Sequence, residues 1–339
     1  MANFLTSYGI FLAKSITIVI SIIVTIAAII ALSTKNTKIK NNFKITKLNE
    51  YYLNLKELVS EKILDPATFK EGQKKTNKAQ KKQKKLAQNQ QTSDKRRIFV
   101  LNFCGDLDAS GVNNLRQEIT AILTVASSQD EVLVIIESQG GAVHSYGLGA
   151  SQLQRLTKHN LTLTVAIDKV AASGGYLMAC VANHILAAPF AIIGSIGVVA
   201  QLPNFNRLLK KHHIDFEQVT SGRYKRTLSL FGENTKIGKD KLQQEVDETH
   251  QLFKNFVAHH RPKVDLEKIA TGETWYGEKA KELGLVDTLI TSDDYLLKAS
   301  ENYELFKVEY QIKKSWREKL PSWINQLLKH ANLTYPTYQ

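Results

Sequence analysis

The chain has 339 residues, 43% of them hydrophobic, and carries 45 Lys/Arg against 32 Asp/Glu for a formal net charge of +13. It is long enough for a sizeable core and too apolar for a disordered chain. The whole charge excess lies in residues 1–97, with 19 Lys/Arg and 6 Asp/Glu, while the other 242 residues hold 26 of each; a neutral body excludes a nucleic-acid-binding core, which concentrates positive charge on the folded domain.

Residues 9–33 form an apolar run, uncharged from Ile16 to Leu32. It is long enough to cross a bilayer of about 30 Å as a helix. The apolar part is longer than a signal peptide usually carries and no clear small-x-small cleavage site ends it, so it reads as a retained transmembrane anchor and not as a signal peptide. Lys14 can snorkel to the interface. Lys35, Lys38, Lys40, Lys44 and Lys47 follow, a flank that the positive-inside rule holds in the cytoplasm and that suits contact with anionic lipid.

Residues 34–97 read as a membrane-proximal segment. Within it, 46–64 has Leu48, Tyr52, Leu55, Val59 and Ile63 at amphipathic-helix spacing. Lys70 to Arg97 then sets eleven basic residues against Glu71 and Asp94, amid many Gln and Asn. Such a run buries no core and reads as a solvated linker. Aromatics are absent from it, which argues against nucleic acid as a partner.

A domain is expected over 98–310. RIFVLNF alternates as a strand, and Leu115, Ile119, Ile122 and Ala126 recur at helical spacing behind Ser110, a candidate cap. VLVIIES and LTLTVAI are buried strands on either side of a helix over 146–156. The uncharged run Ile185 to Leu202, broken by Pro189, Gly194 and Gly197, reads as two short core strands and not as a second span. Lys241 to His260 is a helix burying Leu242, Val246, Phe253 and Val257; Glu278 to Leu283 is one closed by Gly284, followed by a strand from LVD. Alternating buried strands and helices give an α/β domain with both sheet faces covered. The tail 311–339 mixes Trp316, Leu320, Trp323, Leu327 and Leu328 with lysines, fitting either a membrane surface or a neighbouring subunit. Cys104 and Cys180, far apart, make no assignable bridge and no zinc pattern, and no dinucleotide-binding loop is present.

The candidate site is VAIDKVAASGGYLMAC, Val165 to Cys180. A strand ends, small residues turn the chain, and an apolar helix starts at Ser173. At a helix start, free N–H groups and the dipole stabilise an oxyanion, and Gly174 and Gly175 leave room for a substrate backbone. The plainer alternative is that Ser173 only caps a core helix. Gly140 and Gly141, after the buried strand, can turn a bare N–H toward a carbonyl or can simply make a tight turn. For a base, His144, His184 and His250 have no acid obviously placed to orient them. Lys225, in TSGRYKRTLS, is the other choice, provided burial brings a lysine down from about 10.4 toward roughly 7–8.

Taken in order, AASGGY with Lys225 fifty-two residues on, ESQGGAVHSYG, IGSIGV and TGETWYGEKAKELGLVD resemble the signal peptide peptidase (SppA-like) family of membrane serine–lysine proteases, with Gln139 where that family commonly has proline. The likeness runs from about Ile98 to Tyr310, and the anchor and basic linker extend it. It implies a crotonase/ClpP-like fold of repeated ββα units, with Ser173 as nucleophile, Lys225 as general base and acid, and Ser195 orienting Lys225. Gly140 or Gly141, with Gly174, would hold the oxyanion. It implies peptide or protein substrates, a homo-oligomer, and no metal or cofactor. Several relatives work on the outer membrane face, against the lysine flank, so the side is open. A crotonase-like enzyme on acyl-CoA thioesters and a catalytically inactive membrane scaffold are the alternatives.

Overall fold

The computed structural model describes residues 2–33, 42–70, 72–74 and 96–311. Two compact units result, one of residues 1–42 with 312–339 and the other of residues 43–311. In the first, α1 (Ala2–Ser33) is a 32-residue helix. Its side chains are described over 6–22 and at Thr25. Ser15, Thr17 and Thr25 each donate to the carbonyl four residues back, satisfying their hydroxyls within the helix. Among the described residues, no helix is long and apolar enough to cross a membrane. The expected span at 9–33 includes side chains outside that set. Lys35, Lys38, Lys40, most of the basic linker and the tail from residue 312 onward also lie outside the described residues.

The second unit is built on a ten-stranded sheet. Its strands are β1 (Phe43–Lys47), β2 (Arg97–Gly105), β3 (Glu131–Ser138), β4 (Thr162–Ile167), β5 (Val170–Ala172), β6 (His184–Ala187), β7 (Ile192–Gly194), β8 (Thr274–Tyr276), β9 (Thr288–Leu289) and β10 (Glu304–Tyr310). The main order is β1-β10-β2-β3-β4-β6-β9, with β5 branching from β3 to β7 and then β8. Pairing is parallel except β1 with β10 and β7 with β8.

Period-two alternation divides each central strand between two layers. Phe99, Leu101, Phe103, Val132, Val134 and Ile136 face the larger cluster, under α3 (Val112–Leu123), α4 (Val143–Lys158) and α5 (Gly174–Ala179). Phe253 and Val257 of α7 (Lys236–His260) join it; α6 is the short Asn206–Lys211 helix. Ile98, Val100 and Leu133 face the other side, under Leu48 and Tyr52 of α2 (Leu48–Ile63) and Leu296 of α10 (Ser292–Ala299). The short helices α8 (Leu266–Ile269) and α9 (Gly277–Glu282) complete the unit. The result is a mixed α/β fold on a central, mostly parallel sheet, as the strand–helix rhythm predicts.

Three details differ from the expectations. The compact unit starts ahead of Ile98, because β1 adds an edge strand to β10 and α2 packs beneath it. Ser110 does not cap α3: Gly111 holds that position, while Ser110 bonds the Asp106 carboxylate through N (2.8 Å) and Oγ (2.7 Å). In α7, Leu242 and Val246 are only half-buried. The run Ile185 to Leu202 does carry two short core strands, β6 and β7, as expected.

Candidate active site

The branch strands β5 and β7 carry two serines off the sheet. Ser173 follows β5 at φ +50°, ψ −120°, and Ser195 follows β7 at φ +52°. Positive φ at a non-glycine costs of order 1–3 kcal/mol and persists only where surrounding structure enforces it. Ser173 N–H is fixed on the Gly194 carbonyl (2.8 Å), and Ser195 N–H on the Glu273 carbonyl (2.6 Å). Ser173 precedes α5, yet its side chain makes no cap bond. The capping alternative therefore does not describe its hydroxyl, which has no hydrogen-bond partner among the described residues.

Gly140 (φ +91°) abuts this turn. A Cβ on Gly140 would stand 2.7 Å from the Gly174 nitrogen and 2.7 Å from the Ser173 Cβ, and one on Gly141 would overlap the Leu107 carbonyl. Only glycine permits both approaches. The Gly140 N–H is already committed to Ser138 Oγ (3.0 Å). The Gly141 N–H has no partner among the described residues, and neither does Gly174, whose N–H opens α5. Of the two glycines considered, Gly141 thus keeps the free donor.

These groups line one cavity of about 810 Å³ with Ser173, Gly140, Gly141, Gly174 and Ser195 on one wall and His250, Phe253 and Phe256 of α7 on another. Of the candidate histidines, His250 lines the cavity, whereas His144 and His184 are exposed elsewhere. The buried His250 Nε2 has no partner. Lys225 does not line the cavity; it lies exposed in the turn closed by its own N–H on the Gly222 carbonyl (3.1 Å), and its ammonium has no partner among the described residues. Among the described residues of this single chain, no base therefore touches the Ser173 hydroxyl.

Nearby groups are inert. Burial drives the Cys180 thiol upward, so it stays protonated and is no nucleophile, and burial raises the Tyr176 phenol likewise while its Oη donates to the Leu285 carbonyl (3.1 Å). Among the described residues, no group of three or more His, Cys, Asp or Glu could hold a metal ion. What the cavity offers is a hydroxyl on a strained backbone turn beside two N–H donors unspent among the described residues, a geometry suited to holding a tetrahedral oxyanion.

Residues 3–153 match the profile of the peptidase family S49 N-terminal domain and residues 155–306 that of peptidase family S49. A protein of Haemophilus influenzae named "Probable protease SohB" is 47% identical over 94% of this chain and 92% of its own length. Proteins of the same name from two Buchnera aphidicola subspecies are 45% identical (98% of this chain, 97% of the relative) and 46% identical (96% of each).

Proposed function

We propose that this chain, which belongs to peptidase family S49, is a membrane-anchored serine endopeptidase working through Ser173 and Lys225. The observation that carries the reading is the turn at Ser173: a nucleophile at φ +50° with unpaired N–H groups of Gly141 and Gly174 on the same cavity. In the first step the Ser173 Oγ–C bond forms on the scissile carbonyl, and the hydroxyl proton passes to neutral Lys225. The carbonyl electron pair moves to the oxygen, held by Gly141 and Gly174. Collapse breaks the C–N bond, Lys225 returns the proton to the leaving amine, and water hydrolyses the ester by the same route.

A lysine serves as base only when desolvated, and Lys225 is exposed in one chain. We infer that a homo-oligomer buries it. Support comes from apolar side chains left in water in the same segment of chain: Val199, Phe205, Leu208, Ile214, Phe216, Val219 and Phe231 are all exposed along residues 199–231. Ser195 lines the cavity, and its hydroxyl, without a partner among the described residues, is the group to orient that amine. A crotonase/ClpP-like arrangement of the sheet agrees with this reading.

The uncharged stretch Ile16 to Leu32 supports anchoring in the cytoplasmic membrane, and substrates would then be signal-peptide remnants and membrane-associated or misfolded proteins. Peptide-library cleavage by the full chain in detergent tests the proposal. Hydrolysis lost in Ser173→Ala supports it, and hydrolysis retained there refutes it.

A further inference from the structure

The two halves of the proposed oxyanion hole come from different strands, and one buried side chain touches both. Tyr146, on the first turn of α4, is fully buried, and its ring stands edge-on to Phe103 (centroids 6.3 Å, 86°). Its Oη donates to the Asp106 carbonyl (2.7 Å). A carbonyl only accepts, so the phenol proton is spent there. The contact between Ser138 Oγ and Tyr146 Oη (2.5 Å) must then use the serine proton. Ser138 Oγ in turn accepts from Gly140 N–H (3.0 Å). The result is a one-way relay: Gly140 N–H to Ser138, Ser138 to Tyr146, Tyr146 to the Asp106 carbonyl.

The same ring meets the nucleophile's helix. A Cβ on Gly174 would overlap the Tyr146 ring, and one on Gly175 would stand 2.6 Å from the Ser138 carbonyl oxygen. Gly105 admits the pair from below, since a Cβ there would lie 2.5 Å from Tyr146 Oη and 2.6 Å from Ser138 Oγ. The strand-end loop also bonds Ala142 N–H through the Leu107 carbonyl (2.8 Å). Burial raises the Tyr146 phenol above its usual range, so it remains a donor at working pH.

We propose that Tyr146 and Ser138 are positioning residues for the oxyanion hole. By engaging the Gly140 N–H they turn the next peptide so that Gly141 N–H is left for substrate, and the Tyr146 ring sets Gly174 at a fixed distance from it. The proposal rests on the oxyanion reading above. A preorganised donor is worth more than one that must be ordered during reaction, so disturbing the relay should cost transition-state binding and spare ground-state binding.

The test uses the full chain and a peptide substrate. Tyr146→Phe keeps the ring and removes one oxygen; Ser138→Ala removes the other. Each should lower kcat about tenfold with KM within about twofold, and weaken a peptide boronate, which forms a tetrahedral adduct on the serine, in parallel. Because the two oxygens act in one relay, the double variant should lose no more than either single one. Thermal melting of each variant is read alongside; should Tyr146→Phe fail to fold, Ser138→Ala decides. A folded variant with unchanged kcat, a loss confined to KM, or multiplicative losses would overturn the proposal. An inactive wild-type chain would instead count against the protease reading itself.

Discussion

Gly140 and Gly174 sit so close that a methyl group on the first would be 2.7 Å from the nitrogen of the second. That contact brings the end of β3 against the start of α5, and it sets the Gly141 and Gly174 donors on one cavity wall. Gly140→Ala should therefore lower kcat by at least about a hundredfold, the scale of losing an oxyanion donor. The cause is twofold, a φ of +91° that alanine resists and a clash with backbone that cannot yield. Steady-state kinetics on folded protein would check it, and near-normal turnover would rule out the close approach as a requirement.

Lys225 and Ser195 are expected to differ in degree. On the proposed mechanism Lys225→Ala removes the proton acceptor and should cost about a thousandfold or more in kcat, whereas Ser195→Ala removes only the partner proposed to orient it and should cost roughly tenfold. If assembly desolvates Lys225, specific activity should also fall on dilution as oligomers dissociate, followed by light scattering at matched concentrations. Activity independent of concentration in a demonstrably monomeric sample would contradict the assembly proposal.

Stability should carry an acid limb through Asp287. Burial disfavours the ionised Asp287 carboxylate, but a bidentate pair with Arg261 (2.7 and 2.9 Å) and the Ile185 N–H (2.8 Å) outweigh it and hold its pKa below the usual carboxylate range. A lowered folded-state pKa stabilises above the unfolded value of about 3.9 and loses that contribution as pH falls through the lower native one. Asp287→Asn should cost about 2 kcal/mol at pH 7, roughly 4–8 °C in Tm, with the gap narrowing as pH falls below the unfolded value of about 3.9 toward the lower native one. A gap constant from pH 7 to 3 would show that the charge is not what the site uses.

The proposed membrane attachment rests on residues 9–33. The full chain should stay in the membrane pellet through an alkaline wash, and a chain lacking residues 2–33 should be extracted. Retention of the truncated chain would move the anchor elsewhere.

Much of this was legible in residue order, for physical reasons that differ by element. β3 and β4 announce themselves because strands buried on both faces are nearly all apolar. The turn at Ser173 is visible as a strand, a run of small residues and a helix. β1 is not: FKITK is short, charged and at the sheet edge, where only one side needs an apolar face. The Ser138–Tyr146 relay is equally silent, since a serine at a strand end and an aromatic eight residues on look like ordinary core until the Asp106 carbonyl meets them. Lys225 has no local signal at all. It stands in an exposed turn among small, basic and aromatic residues, and only its resemblance to a family motif singles it out.

The central claim is that Ser173 is the nucleophile. Intact-mass analysis after treatment with a fluorophosphonate, followed by peptide mapping, addresses it most directly. One adduct per chain, located on Ser173 and absent from Ser173→Ala, is the expected result. No adduct on an actively hydrolysing enzyme, or an adduct that survives in Ser173→Ala at another residue, would contradict it.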